Sequence, residues 1–366
     1  MIGDEDHEPY DRPPLSKQVL AGDWPVEKTA LRRDPAAEFD LRTGIRASGL
    51  DLASRELLLG DDGERLRVDG VVVATGASVR TLPGTPKLDG IHVLRTLDDC
   101  LALRSALEAR PHVVVIGAGF IGSEVAATAR TMGLDVTVLE ALAVPLERAL
   151  GADMGAVCGG LHTANGTDLR LNAGVSGFQG TDHVEGVLLA DGSVIEAELL
   201  VVGVGVAPNT GWLEGSGLTI ANGLVCDDRC RALGSDGRVV AAGDVARWHN
   251  PLFGTDMRLE HWTNAVEMGA AAAAGLLQGD AAPPYSPVPY FWSDQYDAKI
   301  QYVGHAEPGD PVRVVEGSVE AGKFVAAYER AGRMVAALVL RWPAKMVSYQ
   351  RLIAEGAPIP EPAEPA

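Results

Sequence analysis

No apolar run in this chain reaches the length of a membrane span, and no charged-then-apolar segment opens it. Those two absences lead to the expectation of a soluble, cytoplasmic protein. Cations are also scarce. The net charge of −19 argues against nucleic acid or an anionic membrane as the partner. Cysteine is nearly absent, with only Cys100, Cys158, Cys226 and Cys230. None makes a C-x-x-C, and Cys226-x-x-x-Cys230 has no histidine or cysteine pair nearby to complete a metal site. A redox disulfide or metal at that pair stays open, but four unrelated thiols in a reducing compartment is the favoured reading, with no metal centre expected.

Glycine, in contrast, is plentiful: 43 residues in a chain of 366 that is 46% hydrophobic. That composition fits a turn-rich α/β protein of two or three domains. Its most informative stretch is His112–Glu140, HVVVIGAGFIGSEVAATARTMGLDVTVLE. Val113–Ile116 reads as a buried strand, Val125–Met132 as an alanine-rich helix, and Val136–Leu139 as a second buried strand. Between the first two lie Gly117, Gly119 and Gly122 in G-x-G-x-x-G spacing. The first glycine permits a tight turn, the second lets backbone approach a pyrophosphate, and the third lets helix and strand pack closely. The phosphates then sit on the helix N-terminus. Glu140 follows Gly117 by 23 positions, where a carboxylate accepts from the adenosine ribose hydroxyls. A lone glycine motif is often only a turn. Strand, helix and acid in this order make it a nucleotide site, for NAD rather than NADP, since a carboxylate there repels a 2′-phosphate.

The rest of the chain is organised as a repeat. FDLRTGIRASGLD and LLLGDDGERLRVDGVVVATGASVRTLP are echoed by TDLRLNAGVSGFQG and VLLADGSVIEAELLVVGVGVAPNT, with Asp62-Gly63 and Asp191-Gly192 as hairpin turns. Asp40 and Asp168 stand 128 residues apart at equivalent places. In the second copy the glycine turn precedes Asp168 by about 50 residues, so the repeat predicts a first glycine turn about ten residues ahead of Met1. Beyond the repeat, RVVAAGDVARWH gives a buried strand ending at Gly243-Asp244, and Glu260–Leu277 an alanine-rich helix. The prolines of 279–289 read as a linker, Pro289–Gly304 opens a third region of strands, and Glu355 onward reads as a disordered tail.

PYDRPPLSK, VVVATGASVR, VVVIGAGFIGSEVAA, AAGDVA and YFWSDQYDAKIQ, in this order over residues 3 to 350, resemble the FAD-dependent NADH:ferredoxin reductases. These include the putidaredoxin-reductase, rubredoxin-reductase and dioxygenase-reductase types. The resemblance implies a glutathione-reductase-like α/β fold with two Rossmann-type domains and a C-terminal α+β interface domain. On this chain the implied domains are 1–105 with 233–285 for FAD, the first incomplete, then 106–232 for NAD and 286–354 for the interface, with 355–366 as tail. It also implies roles. Lys17 would lie by the flavin N5, paired with Glu124, as the catalytic residues. Arg12 and Arg95 would contact the phosphate side of FAD, Ala47 its adenine end, and Asp244 with Gly243 its ribityl chain. Ala74, Thr75 and Gly76 would line the FAD, Trp262 would offer backbone to the pyrimidine ring, and Trp292 would lie near the isoalloxazine. NAD would contact Gly117, Gly119, Ile121, Gly122, Glu124, Glu140 and Gly205.

Departures are equally specific. The family opens with a strand, glycine turn and helix that have no counterpart here, leaving Asp4 or Glu5 as the acid for the FAD ribose. ALAVP replaces the basic residues common after Glu140, and the glycines of GAVCGGLHTANG weaken the helix expected there. No cysteine precedes Cys100, so an internal dithiol acceptor is excluded. The expected function is electron transfer from NADH through FAD to an iron–sulfur ferredoxin or a rubredoxin, by a monomer or homodimer. A flavin NADH oxidase or monodehydroascorbate-reductase-like enzyme is one alternative, and a truncated NADH-binding module with weak FAD is another.

Overall fold

The computed structural model describes residues 1–32, 36 and 38–361. They form two compact units, one from Met1–Asp11, Thr29–Ser78 and Val206–Pro289, the other from Arg12–Lys28, Val79–Gly205 and Tyr290–Ala366. In chain order the elements begin with β1 (Ala47–Asp51), β2 (Glu56–Leu59), β3 (Glu64–Arg67), β4 (Val71–Val73), β5 (Ala77–Val79) and β6 (Ile91–His92). Next come α1 (Leu97–Leu107), β7 (Val113–Ile116), α2 (Phe120–Thr131), β8 (Val136–Leu139), α3 (Glu147–Ala164) and β9 (Asp168–Arg170). The second copy of the repeat supplies β10 (Val175–Gly180), β11 (Val184–Leu189), β12 (Val194–Glu196) and β13 (Leu199–Val202). There follow β14 (Val206–Pro208), β15 (Leu224–Cys226), β16 (Val239–Ala241), β17 (Ala246–Asn250), β18 (Thr255–Met257) and α4 (Trp262–Gln278). The chain closes with β19 (Tyr290–Gln295), β20 (Ala298–Gly304), β21 (Val312–Ser318), β22 (Lys323–Arg330), β23 (Arg333–Leu340) and α5 (Met346–Ala354).

The repeat is visible bond by bond. Each copy opens with an antiparallel meander, β1-β2-β3 or β10-β11-β12, with a bulge at the same place, between Ala47 and Gly49 or between Val175 and Gly177. The loops before the meanders match too. Gly3 N–H donates to Arg42 O and Ile45 N–H to Gly3 O, as Glu140 N–H donates to Arg170 O and Ala173 N–H to Glu140 O. Gly3, rather than Asp4 or Glu5, therefore holds the register position of Glu140.

The copies differ at the next strand. β13 lies in a parallel sheet of order β6-β13-β7-β8-β9, flanked by β6 and β7, and Leu199–Val202 are all buried. Its counterpart β4 pairs with β16 alone, and among the described residues no strand lies on its other edge. Val72 is 47% exposed there. A parallel strand is normally buried on both faces, so β4 is open on one edge and one face.

The unit boundaries fall near residues 78 and 205, whereas the resemblance implies domain bounds at 105 and 232. Ile91–His92 pairs in parallel with β13, which draws residues 79–105 into the glycine-turn unit. β15 pairs with β17 and draws residues 206–232 into the other. Three expectations are corrected. The glycine-rich stretch of α3 is a formed helix, kinked only at Gly151 (φ +74). Its glycines serve packing: a Cβ on Gly155 would lie 2.5 Å from Pro145 O, and one on Gly159 3.1 Å from Pro145 Cδ. The proline stretch before Pro289 is not a free linker, because Tyr285 is buried and its carbonyl accepts from Trp248 Nε1 at 3.3 Å. The tail from Glu355 packs at least through Ile359: Ala357 O accepts from Met334 N–H and Ile359 is buried. Its last residues, 362–366, lie outside the described residues.

One buried polar cluster ties α3 to the β19–β20 turn. His162 is 1% exposed, its Nδ1 lies 2.9 Å from the Tyr296 hydroxyl, and that hydroxyl lies 2.8 Å from Thr167 Oγ1. Burial pushes the imidazole pKa down to about 4. The unfolded chain therefore binds the proton first as pH falls. The stabilisation is complete above the ordinary histidine range and is lost between there and pH 4, on the order of 3 kcal/mol in total. A His162→Phe variant should show a flatter dependence of Tm on pH over that window. Parallel profiles for the two proteins would refute the assignment.

Candidate functional site

The glycine turn is built as a dinucleotide cradle requires. Gly117 has φ +98, and a Cβ there would lie 2.5 Å from Gly203 O. A Cβ on Gly122 would lie 2.1 Å from Gly117 O, so only glycine lets α2 sit this close to β7. Gly119, the N-cap of α2, has nothing within 4 Å of its Cβ position. That open side is where a phosphate can reach the first N–H groups of α2. The helix thus starts at the turn itself, not at Val125. Ile121 beside it is an exposed apolar side chain, and Gly205 (φ +100) follows the carboxyl end of β13. Ligands of parallel sheets bind at those carboxyl ends.

Glu140 sits at the tip of β8. One carboxylate oxygen accepts from Ala118 N–H and the other from Leu142 N–H, both at 2.8 Å. The acid is locked to the turn by its own backbone, and each oxygen keeps a lone pair for a ribose hydroxyl.

Glu124, on the first turns of α2, is only 3% exposed. Its Oε2 accepts from Lys17 Nζ at 2.6 Å and from Ser16 Oγ at 2.5 Å. Its Oε1 accepts from Ser293 Oγ at 2.9 Å. Lys17 ends a 3-10 turn, Pro13–Ser16, whose two prolines fix the segment, and Thr128 Oγ1 holds Ser16 O at 2.8 Å. The proline-rich segment is therefore anchored on α2. It delivers a cation to a buried carboxylate. Arg12, at the start of the same turn, donates to Arg95 O at 2.8 Å.

The remaining residues assigned to FAD by resemblance, Trp292 apart, lie in the other unit. β4 and β16 are adjacent and parallel, so Ala74, Thr75 and Gly76 leave the same end of the sheet as Gly243 and Asp244. Gly243 (φ +74) packs on α4, where its Cβ would meet Ala265. Trp262 begins α4 and donates from Nε1 to Asp11 Oδ1 at 2.9 Å. Ala47 starts β1 at the bulge. Trp292, in the same unit as Lys17, lies half-buried on the more open face of β19, 6.1 Å from Tyr290, with Lys299 Nζ 6.0 Å from its ring.

Within this unit, backbone turns at the carboxyl ends of β4 and β16 are the kind of place where the flavin and ribityl half of FAD could sit. The diphosphate half is different. Among the described residues, the glycine turn of the second copy has no counterpart beside β4.

Sequence reasoning missed Ser16, Ser293 and Gln295. A signal existed: YFWSDQ alternates so that Phe291, Ser293 and Gln295 share the buried face, and two polar residues on a buried face need partners. The four cysteines are free and buried, and burial pushes Cys158 up to about 12 and Cys100 to about 11. Among the described residues no group of three or more histidine, cysteine or acidic side chains could hold a metal. No helix among them is long and apolar enough to cross a membrane.

Residues 1–269 match the family model described as pyridine nucleotide-disulphide oxidoreductase, and residues 290–364 match that described as reductase C-terminal. The chain is 38% identical to the anthranilate 1,2-dioxygenase system ferredoxin–NAD(+) reductase component of Burkholderia cepacia, over 99% of this chain and 89% of that protein. It is 40% identical to rhodocoxin reductase of Rhodococcus erythropolis, over 88% of this chain and 76% of that one. A solved structure of a covalent putidaredoxin reductase–putidaredoxin complex superimposes with a TM-score of 0.91 at 33% identity, covering 98% of this chain and 87% of that one. With an intact nucleotide turn, the repeat and both family models in register, the chain belongs to the pyridine nucleotide-disulphide oxidoreductase family, in the branch that carries the reductase C-terminal domain.

Proposed function

We propose that this chain takes electrons from NADH through FAD to an iron–sulfur ferredoxin, or to a rubredoxin, that serves an oxygenase. The observation that carries the reading is the buried pair of Lys17 with Glu124, the latter on the helix that also bears the nucleotide turn. FAD, when bound, accepts the hydride and releases its electrons singly. The chain's own residues do the rest. N–H groups at the start of α2 would hold the NADH diphosphate, Glu140 would orient the ribose and reject a 2′-phosphate, and Glu124 fixes the ammonium of Lys17, which would supply positive charge to a bound flavin. PYDRPPLSK carries no cysteine pair, and the electrons leave to an external carrier. The ferredoxin and dioxygenase systems named for its relatives supply the class of that carrier. Every residue invoked lies on one chain, so a monomer or a homodimer suffices.

The test is NADH-driven reduction of an added ferredoxin by FAD-reconstituted protein, compared with turnover on oxygen alone. Ferredoxin should accelerate turnover, and NADPH should not replace NADH. Equal rates with and without ferredoxin would favour an oxidase. A second reading, NADH binding with weakly held FAD, draws on the open edge of β4. Flavin lost on gel filtration while NADH binding persists would favour it.

A further inference from the structure

Four polar side chains, Lys17, Ser16, Ser293 and Gln295, are linked to Glu124, and only Lys17 has a place in the reading above. Glu124 Oε2 takes Lys17 and Ser16, while Oε1 takes Ser293. Ser293 Oγ in turn accepts from Gln295 Nε2 at 3.2 Å. Ser293 and Gln295 are both 0% exposed, so water does not compete for these bonds. A serine hydroxyl has one proton and two acceptor sites. With Gln295 donating to it, its proton is left to point at Glu124 Oε1. The bond therefore has one direction, from strand β19 into the carboxylate.

A carboxylate on a glutamate side chain swings readily about its last torsion. Held at one oxygen alone, by Lys17 and Ser16, it could rotate and carry the ammonium with it. Fixed at both oxygens, from the 3-10 turn on one side and β19 on the other, it cannot. We propose that Ser293 is a positioning residue for the Lys17–Glu124 pair, with Gln295 setting the direction of its hydroxyl. The ammonium of Lys17 is then held in one place by a carboxylate clamped from two elements. This rests on the proposed electron-transfer function for its consequence, but not for its geometry.

Two readouts separate the two. The first needs no flavin: Lys17 in the purified full chain is labelled with an amine-acylating reagent and quantified by mass spectrometry. Ser293→Ala should raise its labelling rate several-fold, Ser293→Thr should restore it by returning the hydroxyl, and Gln295→Leu should fall between. The second is stopped-flow reduction of FAD-reconstituted protein by NADH. Ser293→Ala should slow the limiting rate about tenfold at unchanged NADH affinity, as expected when a group is loosened rather than removed. In a Glu124→Gln background the same change should have no further effect on either readout. A purely structural serine would lower Tm equally in both backgrounds and leave Lys17 labelling unchanged. That outcome, or failure of threonine to rescue, overturns the proposal. Loss of NADH-driven reduction in the wild-type protein would instead overturn the functional reading, with the labelling result still standing.

Discussion

Gly119→Val is expected to raise the NADH KM about a hundredfold while lowering Tm by no more than about 3 °C. The two glycines that flank the phosphate path differ in what surrounds them. Gly119 has φ −73 and ψ −179, values any residue adopts, and its Cβ position is empty to 4 Å. A valine there meets no protein atom at its Cβ and costs only the lost preference for glycine at an N-cap. It does fill the space through which a pyrophosphate reaches the N-terminus of α2. Gly122→Val should behave in the opposite way. Its Cβ would lie 2.1 Å from Gly117 O, so α2 must leave β7, and the expected result is poor expression or a non-cooperative melt. Steady-state kinetics and thermal melts on both variants check the pair. If Gly119→Val kept the wild-type KM, the nucleotide assignment of this turn would be wrong.

The second large effect is at Lys17. Lys17→Met leaves Glu124 buried with two serine donors and no cation. Removing one partner of a buried ion pair costs about 3–5 kcal/mol, and with side chains 11% and 3% exposed solvent screening gives little relief. Reduction of bound flavin by NADH should fall by two orders of magnitude or so, the scale of a lost electrostatic contact at a reacting centre. Stability and chemistry are separable here. Lys17→Met with Glu124→Leu replaces the pair by apolar side chains of similar size, which is often neutral for stability. The double variant should regain most of the Tm and none of the rate. Recovery of the rate along with the stability would mean that the pair only holds the fold together.

The sequence was most readable where a single local pattern decides the structure. Val113–Ile116 and Val136–Leu139 are strands at the expected residues because continuous β-branched runs fit only a buried sheet. The repeat was readable for the same reason, down to hairpins at Asp62-Gly63 and Asp191-Gly192. What escaped was set by contacts distant in sequence. Glycines in α3 look like helix breakers until Pro145 is seen against them. Tyr285 looks like part of a proline linker until Trp248 is found bonded to it. The unit boundaries depend on Ile91–His92 choosing β13 as a neighbour, and nothing local in that dipeptide encodes the choice. At the site, Lys17 and Glu124 were named through resemblance, while Ser16 and Ser293 were not, because their role exists only once three segments meet around one carboxylate.

The central claim can be put to one measurement. The protein is reconstituted with FAD, freed of excess flavin, made anaerobic and mixed with NADH, and the flavin absorbance is followed before and after addition of oxidised ferredoxin. The account predicts a yellow protein that bleaches with NADH and regains its colour as the ferredoxin is reduced. A protein that stays colourless after reconstitution, or keeps its yellow colour in the presence of NADH, would contradict it.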